Sequence, residues 1–172
     1  MIRQRVLIAG IGNIFLGDDA FGVEVARRLA RHKLPEGVRV VDFGIRGFDL
    51  AYALLDGYDA AILVDAVPRG EKPGTLYVIE PDLDELAGAD PQEMLVETHG
   101  MNPMKVLAWV KVMGGQLGRI LLVGCEPARF DSEQEGQLGL SEPVQTAVDG
   151  AILLVESLVA DLLNEDYHSM RL

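Results

Sequence analysis

Val6-Leu-Ile-Ala-Gly-Ile-Gly-Asn-Ile-Phe-Leu-Gly-Asp-Asp-Ala-Phe-Gly-Val23 decides how the chain folds. Val6 to Ala9 is an unbroken apolar run of the kind that forms a buried strand, and Phe21 to Leu29 carries apolar residues at helical spacing. Gly10, Gly12, Asn13 and Gly17 lie between them and suit tight turns and close backbone approach. A strand, a glycine-rich turn and a helix open many α/β nucleotide-binding domains. Two details argue against a dinucleotide here. The fingerprint needs a third glycine three residues after the second, and that position is Phe15. The helix also opens with Asp18-Asp19, where a pyrophosphate would want N–H groups and no competing negative charge. One aspartate can cap the helix; the second is free to bind something positive.

Downstream, strands and helices alternate. Val38 to Phe43 reads as a second strand, followed by Asp42-Phe-Gly-Ile-Arg-Gly47 and a short helix from about Phe48 to Leu55. Ala60 to Val64 is a third buried strand closing on Asp65, and Thr75 to Glu80 is a β-rich stretch with antiparallel pairing open to it. Pro81 to Glu97 is acidic and weakly patterned. After His99-Gly100, Asn102 can cap a helix with Pro103 at its first position, with a stripe of Val106, Leu107, Val110 and Met113. Arg119 to Val123 is another strand, and Ala128 to Leu140 reads as a mobile polar loop. Ser141-Glu-Pro143 starts a long last helix, with Val144, Val148, Ile152, Val155, Val159 and Leu162 along one face. The alternation predicts an α/β fold, a three-layer sandwich with a mostly parallel central sheet and helices on both faces.

Bulk properties narrow the partners. The 172 residues suit a single domain, 1–172, able to bury roughly 70% of its unfolded surface. A net charge of −12 argues against a nucleic-acid or anionic-membrane partner. Cys125 is the only cysteine, so an internal disulfide or a cysteine-rich zinc site is excluded. With no signal-peptide pattern and no long apolar run, a cytoplasmic location is expected.

In sheets of this kind ligands gather beyond the carboxyl ends of the strands, where the glycine turn, the Asp42 loop and Asp65 all fall. Asp19, Asp65 and His99 are the polar residues best placed to converge. Carboxylates with an imidazole suit nickel, zinc or iron better than calcium or magnesium. Each residue also has a plainer role. Asp19 can cap a helix, Asp65 can bond to loop amides, His99 to backbone, and Asp42 can fold its own loop as an Asx turn. Cys125 reads as a small core residue, and His32 and His168 as solvent-facing.

Taken together these residues resemble the endopeptidases that mature nickel–iron hydrogenases. The resemblance spans about Val6 to Leu158. It rests on Gly10-Ile-Gly-Asn-Ile-Phe-Leu-Gly-Asp-Asp19 with Gly22, Asp42-Phe-Gly-Ile-Arg-Gly47, Val64-Asp-Ala66 and Pro73-Gly74. Thr98-His99, Gly124-Cys-Glu-Pro127 and Gly139-Leu-Ser-Glu-Pro143 continue the series in order. It implies a protease that removes a C-terminal extension from the hydrogenase large-subunit precursor once nickel has been inserted. It also implies that Asp19, Asp65 and His99 sense that nickel and carry the cleavage, as catalytic residues and metal ligands together. Asp42, Gly44, Arg46 and Gly47 would belong to the substrate-recognition surface. Nickel would come with the substrate, and no tightly bound cofactor of the enzyme's own is implied. It would either polarise the scissile carbonyl and a bound water, or only dock the substrate while aspartate activates the water. The family often has glutamate at the first ligand. Asp19 is shorter by one methylene, so either the loop sits closer or Asp18 shares the work. The rival from another class is a nickel-dependent chaperone that gates hydrogenase assembly without cutting.

Overall fold

Along β1 (Val6–Ile11) every residue is buried, and alternate side chains enter different cores. Val6 and Ile8 join one cluster, and Leu7, Ala9 and Ile11 join the other. β3 (Ala60–Ala66) divides the same way, with Ile62 and Val64 on one face and Ala61 and Leu63 on the other. Strands apolar on both faces must be covered on both, which is the pattern of an inner parallel strand. The computed structural model describes residues 3–86, 101–128 and 138–169, with side chains described to residue 165.

Five strands form one sheet in the order β2-β1-β3-β5-β4. β2 (Val38–Gly44), β1, β3 and β5 (Arg119–Cys125) are parallel, whereas β4 (Leu76–Ile79) runs antiparallel along the β5 edge. One face is covered by α1 (Phe21–Leu29) and the long α4 (Glu142–Ser169). The other is covered by α2 (Gly47–Leu55) and α3 (Pro103–Val112). This is the three-layer sandwich expected from the alternation. All six residues of the α4 stripe are buried, Val144, Val148, Ile152, Val155, Val159 and Leu162. Asn102 caps α3 by accepting the Met104 N–H at 3.0 Å, with Pro103 at the first helical position.

Several boundaries differ from those expected. β3 and β5 each run two residues further than their apolar cores, so Asp65 ends up inside a strand, opposite Gly124. Pairing with a neighbour extends a strand beyond what its own hydrophobicity signals. Asp42 lies within β2, as expected, but its carboxylate takes Arg27 Nε at 3.2 Å instead of folding an Asx turn. α1 stops at Leu29, where the sequence reads as a first helix to about His32, and His32 Nδ1 lies 2.7 Å from Glu156. Met113 is exposed at the end of α3, not part of its buried stripe. The acidic stretch from 87 on, His99, and most of the loop from Ala128 to Leu140 lie outside the described residues, as does the His168 side chain. Among the described residues no helix is long and apolar enough to cross a membrane.

The chain leaves β1 for β2 on one side and then returns for β3 on the other. α1 and α2, which make these connections, lie on opposite faces. The carboxyl ends of β1 and β3 therefore flank the point where the winding reverses, the standard crevice of open α/β sheets.

Candidate active site at the strand-order reversal

The glycine turn reaches that crevice through glycines that permit close approach. Gly12 has φ +145°, and a Cβ there would overlap the backbone carbonyl of Asp19. Gly22, in the first turn of α1, lies so close to the Val64 and Ile11 carbonyls that a Cβ would strike both. These contacts press Gly17–Ala20, a turn of 3-10 helix, against the ends of β1 and β3. Asp18 and Asp19 both belong to that turn, which precedes α1; neither opens the α-helix itself.

Three residues per turn separate adjacent side chains by about 120°. The two aspartates accordingly go different ways. Asp19 turns to the crevice, where its Oδ2 accepts the Asn13 N–H at 2.7 Å. Asp18 is 1% exposed, and its Oδ1 accepts the Ser141 N–H at 2.7 Å. Its Oδ2 accepts from Ala128 N–H at 2.9 Å and from Ser141 Oγ at 2.8 Å. With both oxygens engaged, Asp18 is not available to a ligand. Gly12 lets the Asp19 backbone approach the end of β1 closely.

Asp65, 7% exposed, lies close enough to Asp19 to feel its charge. Burial first, then that charge, lift its carboxyl well above the ordinary aspartate range, against the pull of the Ala66 N–H. Burial raises Asp19 as well, opposed by the Asn13 N–H. Among the described residues neither carboxylate has a salt-bridge partner. Two like charges in a desolvated corner favour taking up a proton or a divalent cation. Among the described residues no three potential ligands come together, so this corner supplies two carboxylates toward a coordination shell. His99 lies outside those residues.

Beside the crevice, Gly12 N–H bonds to Gly44 O at 3.0 Å and ties the glycine turn to the second loop. Gly44 has φ +57°, and Arg46 donates to the Asp42 carbonyl at 2.6 Å and pairs with Asp49 at 3.1 Å. The Arg46 side chain remains 59% exposed, with Ile45 also exposed and Gly47 opening α2 behind it. On the glycine turn Phe15 is 60% exposed, a large apolar surface next to Asn13 and Asp19.

Glu126 was not singled out by the sequence, although an acid just beyond a buried strand carries the same signal as Asp65. It is buried, and accepts from Arg69 N–H at 2.7 Å, Gly70 N–H at 3.1 Å and Tyr77 Oη at 2.8 Å. Burial raises its carboxyl, but these donors outweigh burial and hold it below the usual range. Cys125 is buried in the core, its thiol pushed up to about 12 by burial and by the charges of Asp18 and Glu126. Neither residue is part of the crevice chemistry.

Comparison with known proteins agrees with this architecture. Residues 23–158 match the HycI hydrogenase maturation protease family. The hydrogenase expression/formation protein HupD of Rhodobacter capsulatus is 35% identical over 74% of the chain, which spans 60% of HupD's length. A hydrogenase 2 maturation peptidase from a Thaumarchaeota archaeon superposes with a TM-score of 0.68 at 32% identity, covering 91% of this chain and 99% of that one. The hydrogenase maturating endopeptidase HybD of Escherichia coli gives 0.71 at 26% identity, covering 92% and 93%. The chain belongs to the hydrogenase maturation protease family.

Proposed function

We propose that the chain is the endopeptidase that removes the C-terminal extension of a nickel–iron hydrogenase large-subunit precursor after nickel insertion. The observation that carries this reading is the meeting of two carboxylates, half-buried Asp19 and buried Asp65, at the strand-order reversal of a chain of the maturation protease family. Nickel belongs to the substrate. Asp19, Asp65 and His99 are the residues that would meet it, an incomplete shell that the precursor's own ligands complete. A divalent ion bound there supplies Lewis acidity toward a carbonyl or a bound water.

The protein's own part is positional and acid–base. Asp65 would face the incoming cation, which offsets the repulsion from Asp19 that opposes its ionisation. Asp19, less buried and held by Asn13, takes the proton of the attacking water as that water adds to the scissile carbonyl carbon. The proton passes to the amide nitrogen as the C–N bond breaks, giving a new carboxylate and a free amine. Asp42, Gly44, Arg46 and Gly47 form the recognition edge beside this centre.

The test uses nickel-loaded and nickel-free precursor, incubated with the protein and weighed by mass spectrometry. Loss of the extension from loaded precursor alone is expected. If loaded precursor binds but stays intact, the protein acts as a chaperone and the proposal fails. Equal processing of both forms removes nickel from the reading.

A further inference from the structure

We infer that Asp18 is a positioning residue for the cleavage, fastening the glycine turn so that Asp19 stays aimed at Asp65. The inference rests on the peptidase reading above and adds a residue to it. Both carboxylate oxygens of Asp18 accept from partners 110 and 123 residues away, the Ala128 N–H and the Ser141 N–H and Oγ–H. Those partners lie just past β5 and just ahead of α4, the last parallel strand and the long helix that shares a core face with α1. A carboxylate inside a protein costs free energy unless its oxygens are fully bonded, and here three donors converge on it.

The consequence for Asp19 follows from the 3-10 geometry. In a turn of four residues, Gly17–Ala20, fixing one side chain inward fixes the direction of its neighbour. Other restraints on Asp19 are the Asn13 N–H, its own N–H donated to the Leu16 carbonyl at 3.1 Å and the approach of its carbonyl to Gly12. None of these three anchors the turn to the β5 and α4 side of the crevice. Asp18 alone among the described residues of the turn does so through its side chain.

Asp18→Asn is isosteric but mismatched. Its single oxygen can accept from at most two of the three donors, and its NH2 would face an N–H. Ser141→Ala is gentler, since it removes only the Oγ bond and keeps the backbone donor. Both variants should be compared with wild type for cleavage of nickel-loaded precursor, and for the Asn13 amide signal in 15N–1H spectra of the free protein. The Asn13 amide reports the position of Asp19 directly, independent of activity. For Asp18→Asn kcat should fall by about ten- to a hundredfold, as a misaimed catalytic group produces, with KM held within about twofold. The Asn13 amide should shift and exchange faster with solvent. Ser141→Ala should show the same changes in smaller measure, and decides the matter if Asp18→Asn does not fold. An unmoved Asn13 amide with unchanged kcat in a folded variant overturns the inference, even if the melting temperature drops. Wild type that cleaves nothing overturns the peptidase reading instead, and the Asn13 amide still tests whether Asp18 aims Asp19.

Discussion

Asp65 is buried at the end of β3 with the charge of Asp19 beside it, and that charge adds to burial in opposing the ionisation of Asp65. The sign of the effect on stability is set by the direction of the shift. The carboxyl of folded Asp65 titrates above its unfolded value, near 3.9. Its contribution is therefore fully present below that pH, and is lost as pH rises through the elevated folded value. Asp65→Asn removes the charge and keeps an oxygen for the Ala66 N–H. Its melting temperature at pH 7 should exceed wild type by roughly 2–4 °C, the change that about 1 kcal/mol makes in a chain of this size. The gain should vanish below about pH 4. A variant no more stable than wild type at pH 7 would show that the pair is already compensated.

Gly12 and Gly70 offer a paired test of the turn. Both have positive φ, +145° and +82°, but only Gly12 has backbone in the way of a Cβ. Gly70→Ala should cost about 1–2 kcal/mol for the strained φ alone. Gly12→Ala must also push away the Asp19 carbonyl, so it should cost more and abolish cleavage. Calorimetry and the precursor assay check both, and equal costs would mean that the turn yields easily.

Much of this was open to sequence reasoning because it is local. The run Val6 to Ala9, the capping pair Asn102-Pro103 and the 3.6-residue stripe of α4 each carry their signal within a few residues. Asp65 could be noticed because an acid ending an apolar strand is out of place. What could not be read depends on distant partners. Asp18 and Asp19 are chemically identical neighbours, and only the arrival of Ala128 and Ser141 makes one an anchor and leaves the other in the crevice. The Asp42 carboxylate bonds to Arg27 instead of its own loop because α1 lies alongside β2.

Arg46 should matter to the partner and not to the fold. Its ion pair with Asp49 is exposed on both sides, and pairs of that kind contribute about 0–1 kcal/mol. Arg46→Glu should leave the melting temperature within about 2 °C of wild type. It should raise KM for loaded precursor by about tenfold or more, with kcat little changed, as loss of uniform binding does. A fall in kcat alone would place Arg46 in the chemistry instead of the recognition edge.

His99→Ala is the substitution that tests the proposed nickel-sensing set most directly. Asp19 and Asp65 supply only carboxylate oxygens, and imidazole is what would turn their preference from calcium or magnesium toward nickel. Without it, nickel-loaded precursor should be cleaved at least about a hundredfold more slowly, the scale of loss when a positioned catalytic group is removed. Asp65→Ala should do the same, whereas His168→Ala should change nothing. Circular dichroism must show the native fold in each case. The timing of the loss separates two roles. If His99→Ala still binds loaded precursor in preference to nickel-free precursor, the imidazole serves the cleavage step. If that preference disappears, His99 is the ligand that reads the metal. Full activity of folded His99→Ala on loaded precursor would remove it from the site altogether, leaving a two-carboxylate centre that discriminates nickel through the substrate's ligands alone.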